Sequence, residues 1–226
     1  MKYIREVNKQ MQYLEERQAV LNCAREIYTS GMVSGTWGNV SVRVTDKELM
    51  IITPSGMDYE TLEPEDMVLL DFNGQVVEGK YQPSIETSLH LGIYQQRPNT
   101  NAIVHVHSPY AVAFAVARKN IPVILEETAQ VVGHEVEVAA YAHCGSQQLA
   151  DIAVKALGEG KKALLLANHG LIALGKDSTE ALKVCYIVEK TAMISVYASV
   201  LGTPHSLSPE DISFLNQSFK SYGQKK

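Results

Sequence analysis

Two histidines one residue apart, His105-Val106-His107, are the sharpest chemical feature of this chain. In an extended segment, residues two apart project from the same face, so both imidazoles reach one point while Val104 and Val106 turn toward a core. A third histidine, His169, stands in Asn168-His169-Gly170, where another apolar segment ends. Three convergent imidazoles that leave one position open make the donor set of a catalytic zinc ion. The bland alternative is two histidines on a wet sheet face and one in a loop. Glu86 is the next candidate, in Pro83-Ser84-Ile85-Glu86-Thr87-Ser88-Leu89-His90. Ser84 suits a helix N-cap, which predicts Glu86 in the first turn, where the helix dipole favours a carboxylate. His90 falls one turn later on the same face and reads as a structural neighbour, not a ligand.

Two polar loops, Gly35-Thr36-Trp37-Gly38-Asn39 and Thr53-Pro54-Ser55-Gly56, could offer N–H groups and hydroxyls to a phosphate. The same residues build plain turns, and neither loop follows the P-loop pattern. The acidic residues Asp58, Glu60, Glu63, Glu65 and Asp66 read as a solvated turn. Cys144, beside His143, lacks the base and orienting group of a nucleophile.

Elements must bring residues 86, 105, 107 and 169 together. Apolar spacing predicts a helix over the first thirty residues, stopped near Gly31. Short β-rich segments follow at 39–44, 48–52 and 67–71, and Asn73-Gly74 signals a hairpin turn. A helix is expected over 84–96, a strand over 102–107, a helix over 109–118 and a strand over 135–141. Ser146 should cap a helix to 157, strands should cover 163–168 and 171–175, and helices should run from after Asp177 to Leu201 and from Pro209 to Tyr222. No repeat, linker or composition shift is visible, so residues 1–226 are expected to form one α/β domain: a sheet with several antiparallel pairs and helices on its faces.

Composition bounds the function. Hydrophobic residues make up 46% and charged ones 20%, as in an ordinary packed domain. The formal charge of −5 argues against a nucleic-acid surface, which needs a basic face. Cys23, Cys144 and Cys185 are odd in number and form no CxxC pair, which suits a reducing compartment. With no signal-peptide pattern and no apolar run of membrane-spanning length, a cytoplasmic protein is expected.

Taken together, Gly35-Thr36-Trp37-Gly38-Asn39-Val40-Ser41, Thr53-Pro54-Ser55-Gly56, Pro83-Ser84-x-Glu86-x-x-Leu89-His90, Val104-His105-Val106-His107-Ser108-Pro109-Tyr110-Ala111 and Ala167-Asn168-His169-Gly170 resemble, in order and spacing, the class II aldolase and adducin family. Within it the likeness is to the L-fuculose-1-phosphate aldolase branch, from about Val20 to Tyr222. The resemblance implies a three-layer α/β/α sandwich around a mixed, largely antiparallel sheet, assembled as a homotetramer with sites at subunit interfaces. It implies one zinc ion per subunit on His105, His107 and His169, with Glu86 as displaceable fourth ligand and acid/base. Gly38, Asn39, Ser55, Gly56 and Ser84 match positions that hold a substrate phosphate. Tyr222 matches a tyrosine that enters the neighbouring subunit's site. The activity so implied is reversible cleavage of a ketose 1-phosphate to dihydroxyacetone phosphate and an aldehyde. Alternatives are a sugar-phosphate epimerase, a dehydratase, an oxo-acid phosphate decarboxylase or a non-catalytic adducin-like module. The chain departs from that branch with Ile85 in place of a serine and with Glu126 and Cys144 at two aromatic positions. About fifteen residues at the start look like a helical extension.

Overall fold

Alternation along the strands sorts the apolar residues onto the two faces of one sheet. The computed structural model describes residues 11–219. Its strands are β1 (Asn39–Val44), β2 (Leu49–Ile52), β3 (Val68–Asp71), β4 (Val76–Glu78), β5 (Ala102–Val106), β6 (Val138–Ala139), β7 (Ala163–Leu166) and β8 (Gly170–Gly175). They lie in the order β4-β3-β2-β1-β5-β8-β7-β6. Every neighbouring pair is antiparallel except β6 with β7. The helices are α1 (Leu14–Thr29), α2 (Thr87–Gln96), α3 (Pro109–Ala117), α4 (Glu126–Val131), α5 (Gln147–Leu157), α6 (Ser178–Leu201) and α7 (Pro209–Phe219).

On one face Val42, Val104, Val106, Leu165, Leu171 and Ala173 pack with Val20, Ala24 and Ile27 of α1 and Val184 and Val188 of α6. On the other, Met50, Ile52, Ile103, Leu164 and Ile172 pack with Leu89 and Ile93 of α2 and Leu149 and Ala153 of α5. Each fully buried aliphatic side chain contributes roughly 1.5–3 kcal/mol. Helix layers on both faces of the mixed sheet make the expected α/β/α sandwich. The β5 register puts His105 on the α2 face, beside Ile103, while Val104 and Val106 face the α1 side.

Local chemistry sets the boundaries. Ser146 Oγ accepts from Leu149 N–H at 3.1 Å to start α5, and Asp177 Oδ1 accepts from Glu180 N–H at 2.8 Å to start α6. Asp71 Oδ1 accepts from the N–H groups of Asn73 and Gln75 and closes the Asn73-Gly74 hairpin.

Four expectations change. The strand expected over 135–141 shrinks to β6, because Val136 pairs instead with Ile121 across an isolated bridge. Helix α4 was not foreseen, being too short to show a period. Within the acidic run Asp66 is buried, not solvated: it closes a capping box with Glu63 around a 3-10 turn and meets Lys80 at 2.6 Å. Helix α6 does have the length and apolar composition to cross a membrane. Its stripe of Ala181, Val184, Cys185, Val188 and Ala192 instead packs into the core, and its other face carries the exposed Lys183 and Lys190. Residues 1–10, most of the supposed extension, lie outside the described residues.

His134 ties the edge of this fold together: Nδ1 donates to Glu135 O at 2.8 Å and Nε2 accepts from Lys162 N–H at 2.9 Å. Burial holds its pKa below the ordinary value. A depressed histidine pKa stabilises the fold fully above the unfolded value, about 6.5, and the contribution is lost as pH falls below it. Unfolding titrations from pH 7.5 to 5 should therefore show stability falling with pH, with a shallower slope in His134→Gln. Equal slopes would remove His134 from the acid response.

Candidate metal centre

His105 is the penultimate residue of β5, with its ring fixed by an Nδ1–H donation to Leu171 O at 3.0 Å. That bond leaves Nε2 as the acceptor nitrogen. His107 lies just beyond the strand, and its Nε2 stands 2.9 Å from His105 Nε2. His169 comes from the tight turn joining β7 to β8, with its Nε2 3.3 Å from the same atom. The turn closes by His169 N–H donating to Leu166 O at 3.0 Å, and Asn168 occupies the left-handed region that asparagine tolerates. The three rings are nearly perpendicular in pairs, at 73° to 78°.

Glu86 closes the cluster. Its Oε2 lies 3.1 Å from His105 Nε2 and its Oε1 lies 3.5 Å from His169 Nε2. The residue sits at the N-cap of α2, not inside the first turn as its spacing from Ser84 suggests. The reason is a turn before the helix: Thr87 N–H donates to Ser84 O at 3.1 Å, and Ser84 Oγ accepts from Glu86 N–H at 3.3 Å. Asn39, paired with His105 across β1 and β5, donates Nδ2–H to Glu86 Oε2 at 2.9 Å.

The donor set fits a divalent cation. His105 Nε2 and Glu86 Oε2 are both acceptors, so their 3.1 Å approach needs a proton or a cation between them, and among the described residues Glu86 Oε1 has no hydrogen-bond partner. Burial opposes the Glu86 charge, but His105, His169 and Asn39 outweigh it and hold the carboxyl well below the usual range. Burial works against charging His105 too, yet Glu86 pulls its pKa above the ordinary value. Burial, then the His105 charge, push His107 down to about 3 and His169 to about 4.

Of the sequence candidates, Gly38, Asn39, Ser55, Gly56, Ser84, Glu86, His107 and His169 line one cavity of about 220 Å³, with Trp37, Ile85 and Cys144 also on its wall, while His105 is fully buried behind it. Tyr222 lies outside the described residues. A larger cleft of about 1190 Å³ includes Lys162 and Lys176, at the opposite ends of β7 and β8, and holds none of these residues.

Some positioning groups carry no signal in the sequence. The Tyr59 hydroxyl donates to Gly38 O, and Arg118 donates to Asn168 Oδ1 beside His169. Cys144 Sγ lies within 4.8 Å of donor atoms of Glu86 and His169. Burial, then the Glu86 charge, push its thiol pKa up to about 12, so it stays protonated.

Residues 18–196 match the family described as Class II Aldolase and Adducin N-terminal domain. A 5-deoxy-D-ribulose 1-phosphate aldolase of Bacillus thuringiensis serovar kurstaki is 36% identical over 93% of this chain and 98% of its own. The L-ribulose-5-phosphate 4-epimerase UlaF of Salmonella paratyphi B is 32% identical over 92% of this chain and 98% of its own. Among solved structures, an L-fuculose 1-phosphate aldolase superposes with a TM-score of 0.87 at 38% identity, covering 91% of this chain and 96% of that one.

Close packing around Gly170 generates a test. A Cβ there would stand 2.5 Å from Val106 O and 2.8 Å from both His105 Cε1 and His107 Cδ2. Gly170→Ala should therefore push the two rings apart, destabilise the fold by about 1–3 kcal/mol and lower bound metal well below one ion per chain. Elemental analysis and thermal unfolding read both. Full metal content at unchanged stability would show that the packing does not set the ligand geometry.

Proposed function

Because the chain belongs to the class II aldolase and adducin family, we propose that it is a zinc-dependent lyase that reversibly cleaves a ketose 1-phosphate to dihydroxyacetone phosphate and an aldehyde. The observation that carries this reading is the meeting of His105, His107 and His169 with the buried carboxylate of Glu86, which lines the same cavity and whose Oε1 has no hydrogen-bond partner among the described residues. The three imidazoles would hold the ion, with Glu86 as a fourth ligand that substrate displaces. When bound there, the metal supplies Lewis-acid stabilisation of the negative charge that develops next to the broken bond.

The residues do the rest. In the synthesis direction Glu86 takes a proton from the carbon beside the carbonyl, and in cleavage it returns that proton. Oε1 is the oxygen suited to this, since Oε2 is engaged by Asn39. The phosphate would lie between the loops of Gly38, Asn39, Ser55, Gly56 and Ser84. The N–H groups of Ser55 and Ser84 are bound to Gln82 O and Thr53 O, so these serines would offer their hydroxyls. Asn39 would offer its second amide hydrogen. Holding the phosphate fixes the reacting carbon against Glu86, using binding energy remote from the bond that breaks. Tyr222 of a neighbouring subunit would protonate the aldehyde oxygen as the new bond forms.

A homotetramer is part of this reading. Trp37 and Ile85 at the rim, 69% and 66% exposed, are apolar surface that subunit contact would cover. The similarity to a 5-deoxyribulose 1-phosphate aldolase and to a fuculose 1-phosphate aldolase supports a short phosphorylated ketose as substrate. The epimerase relative makes epimerisation the second reading, since it shares the family.

Purified zinc-loaded protein should release dihydroxyacetone phosphate from 5-deoxyribulose 1-phosphate or L-fuculose 1-phosphate, detected with a coupled dehydrogenase, and chelation should abolish the release. Glu86→Gln should retain its fold and lose about 10²- to 10⁴-fold in kcat, as expected for removal of a general base. No release from any ketose 1-phosphate would exclude the aldolase reading and move the assay to pentulose 5-phosphate epimerisation.

A further inference from the structure

Behind Glu86, side chains of α2 and β1 interleave through the buried side of the sheet. Four residues of helix advance about 6 Å and two residues of strand about 6.7 Å, so a helix lying along a strand can keep step with it. Helix positions 86, 90 and 94 thus alternate with strand positions 39 and 41. Tyr94 Oη lies 2.9 Å from Ser41 Oγ, and Ser41 Oγ lies 2.6 Å from His90 Nδ1. His90 Nε2 lies 2.6 Å from Asn39 Oδ1, and Asn39 Nδ2 lies 2.9 Å from Glu86 Oε2. Ser41, His90, Asn39 and Tyr94 are each 4% exposed or less.

The chemistry of the last acceptor fixes every proton in the row. A carboxylate only accepts, so Asn39 turns its NH₂ to Glu86 and its carbonyl to His90. A carbonyl also only accepts, so His90 carries its proton on Nε2. Its Nδ1 is then an acceptor, which takes the Ser41 hydroxyl proton and leaves the serine oxygen to accept from Tyr94. All four donors point toward Glu86, and hydrogen bonds aligned in one direction polarise one another.

The geometry points to His90 as a positioning residue for the proton transfer: through Asn39 it locks Glu86 Oε2 from behind and leaves Oε1, which has no hydrogen-bond partner among the described residues, to move the proton. This rests on the reading of Glu86 as acid/base. Without His90, the Asn39 carbonyl would lose its donor, and only the bond to Glu86 itself would hold the amide in place.

Two readouts test it. The first is the His90 tautomer from ¹⁵N NMR of the imidazole nitrogens, assigned by the signal lost in His90→Asn. An Nε2–H tautomer supports the row and an Nδ1–H tautomer overturns it, whether or not the protein is active. The second compares His90→Asn, too short to reach Asn39, with His90→Gln, whose amide N–H can replace the Nε2–H. On an active wild type with metal content equal in all three proteins, His90→Asn should lose about 10- to 100-fold in kcat with KM changed less than about threefold, the scale of one charge-assisted hydrogen bond. His90→Gln should recover most of that loss. Wild-type kcat in His90→Asn, or an equal loss in both variants, would overturn the assignment. A wild type that cleaves no sugar phosphate would sink the aldolase reading instead and leave the tautomer to decide the row.

Discussion

Lone pairs aimed at one another are the constraint around which this structure is organised. His105 Nε2 has its neighbours from His107 and His169 at 2.9 and 3.3 Å and a carboxylate oxygen at 3.1 Å. In an interior where charge is poorly screened, such a cluster holds only around a positive species. The surrounding features serve that arrangement. The Leu171 carbonyl sets the His105 tautomer, and Gly170 leaves room for two rings against β5. Beside His107, the Glu189 carboxylate accepts from the N–H groups of Tyr110 and Ala111 and ties the start of α3 to α6.

Much of this was legible in the residues. Alternation placed His105 and His107 together and turned Val104 and Val106 into the core, because strand geometry leaves no other choice. The β1 range followed from its β-rich composition, the Asn73-Gly74 hairpin and the Ser146 cap from local turn and capping chemistry, and the long helix begins after Asp177 as expected. The assembly of His169 with the pair was legible only as three suitable residues, since spacing says nothing about a distance across β5 and β8.

What escaped the sequence was long-range or small. Helix α4 spans too few residues to display a period, and the strand around Val138 is cut short by competition from Ile121. Burial of Asp66 depends on Lys80 arriving from another segment. His90 was read as a structural neighbour of Glu86, but its partners are a strand serine and a strand asparagine that no helical spacing reveals. Glu86 lies outside the helix proper because Ser84 spends its hydroxyl on the turn before it.

The four residues of the candidate metal centre come from three separated stretches of chain, and the last, His169, sits in the turn between β7 and β8. During synthesis the ribosome delivers Glu86, His105 and His107 long before that turn has emerged. A nascent chain therefore offers at most part of the donor set, and a full-strength site arises only when β8 docks beside β5. Ion capture at such a centre would thereby be a late event in the life of each molecule, a seal applied to chains that have already closed their central sheet.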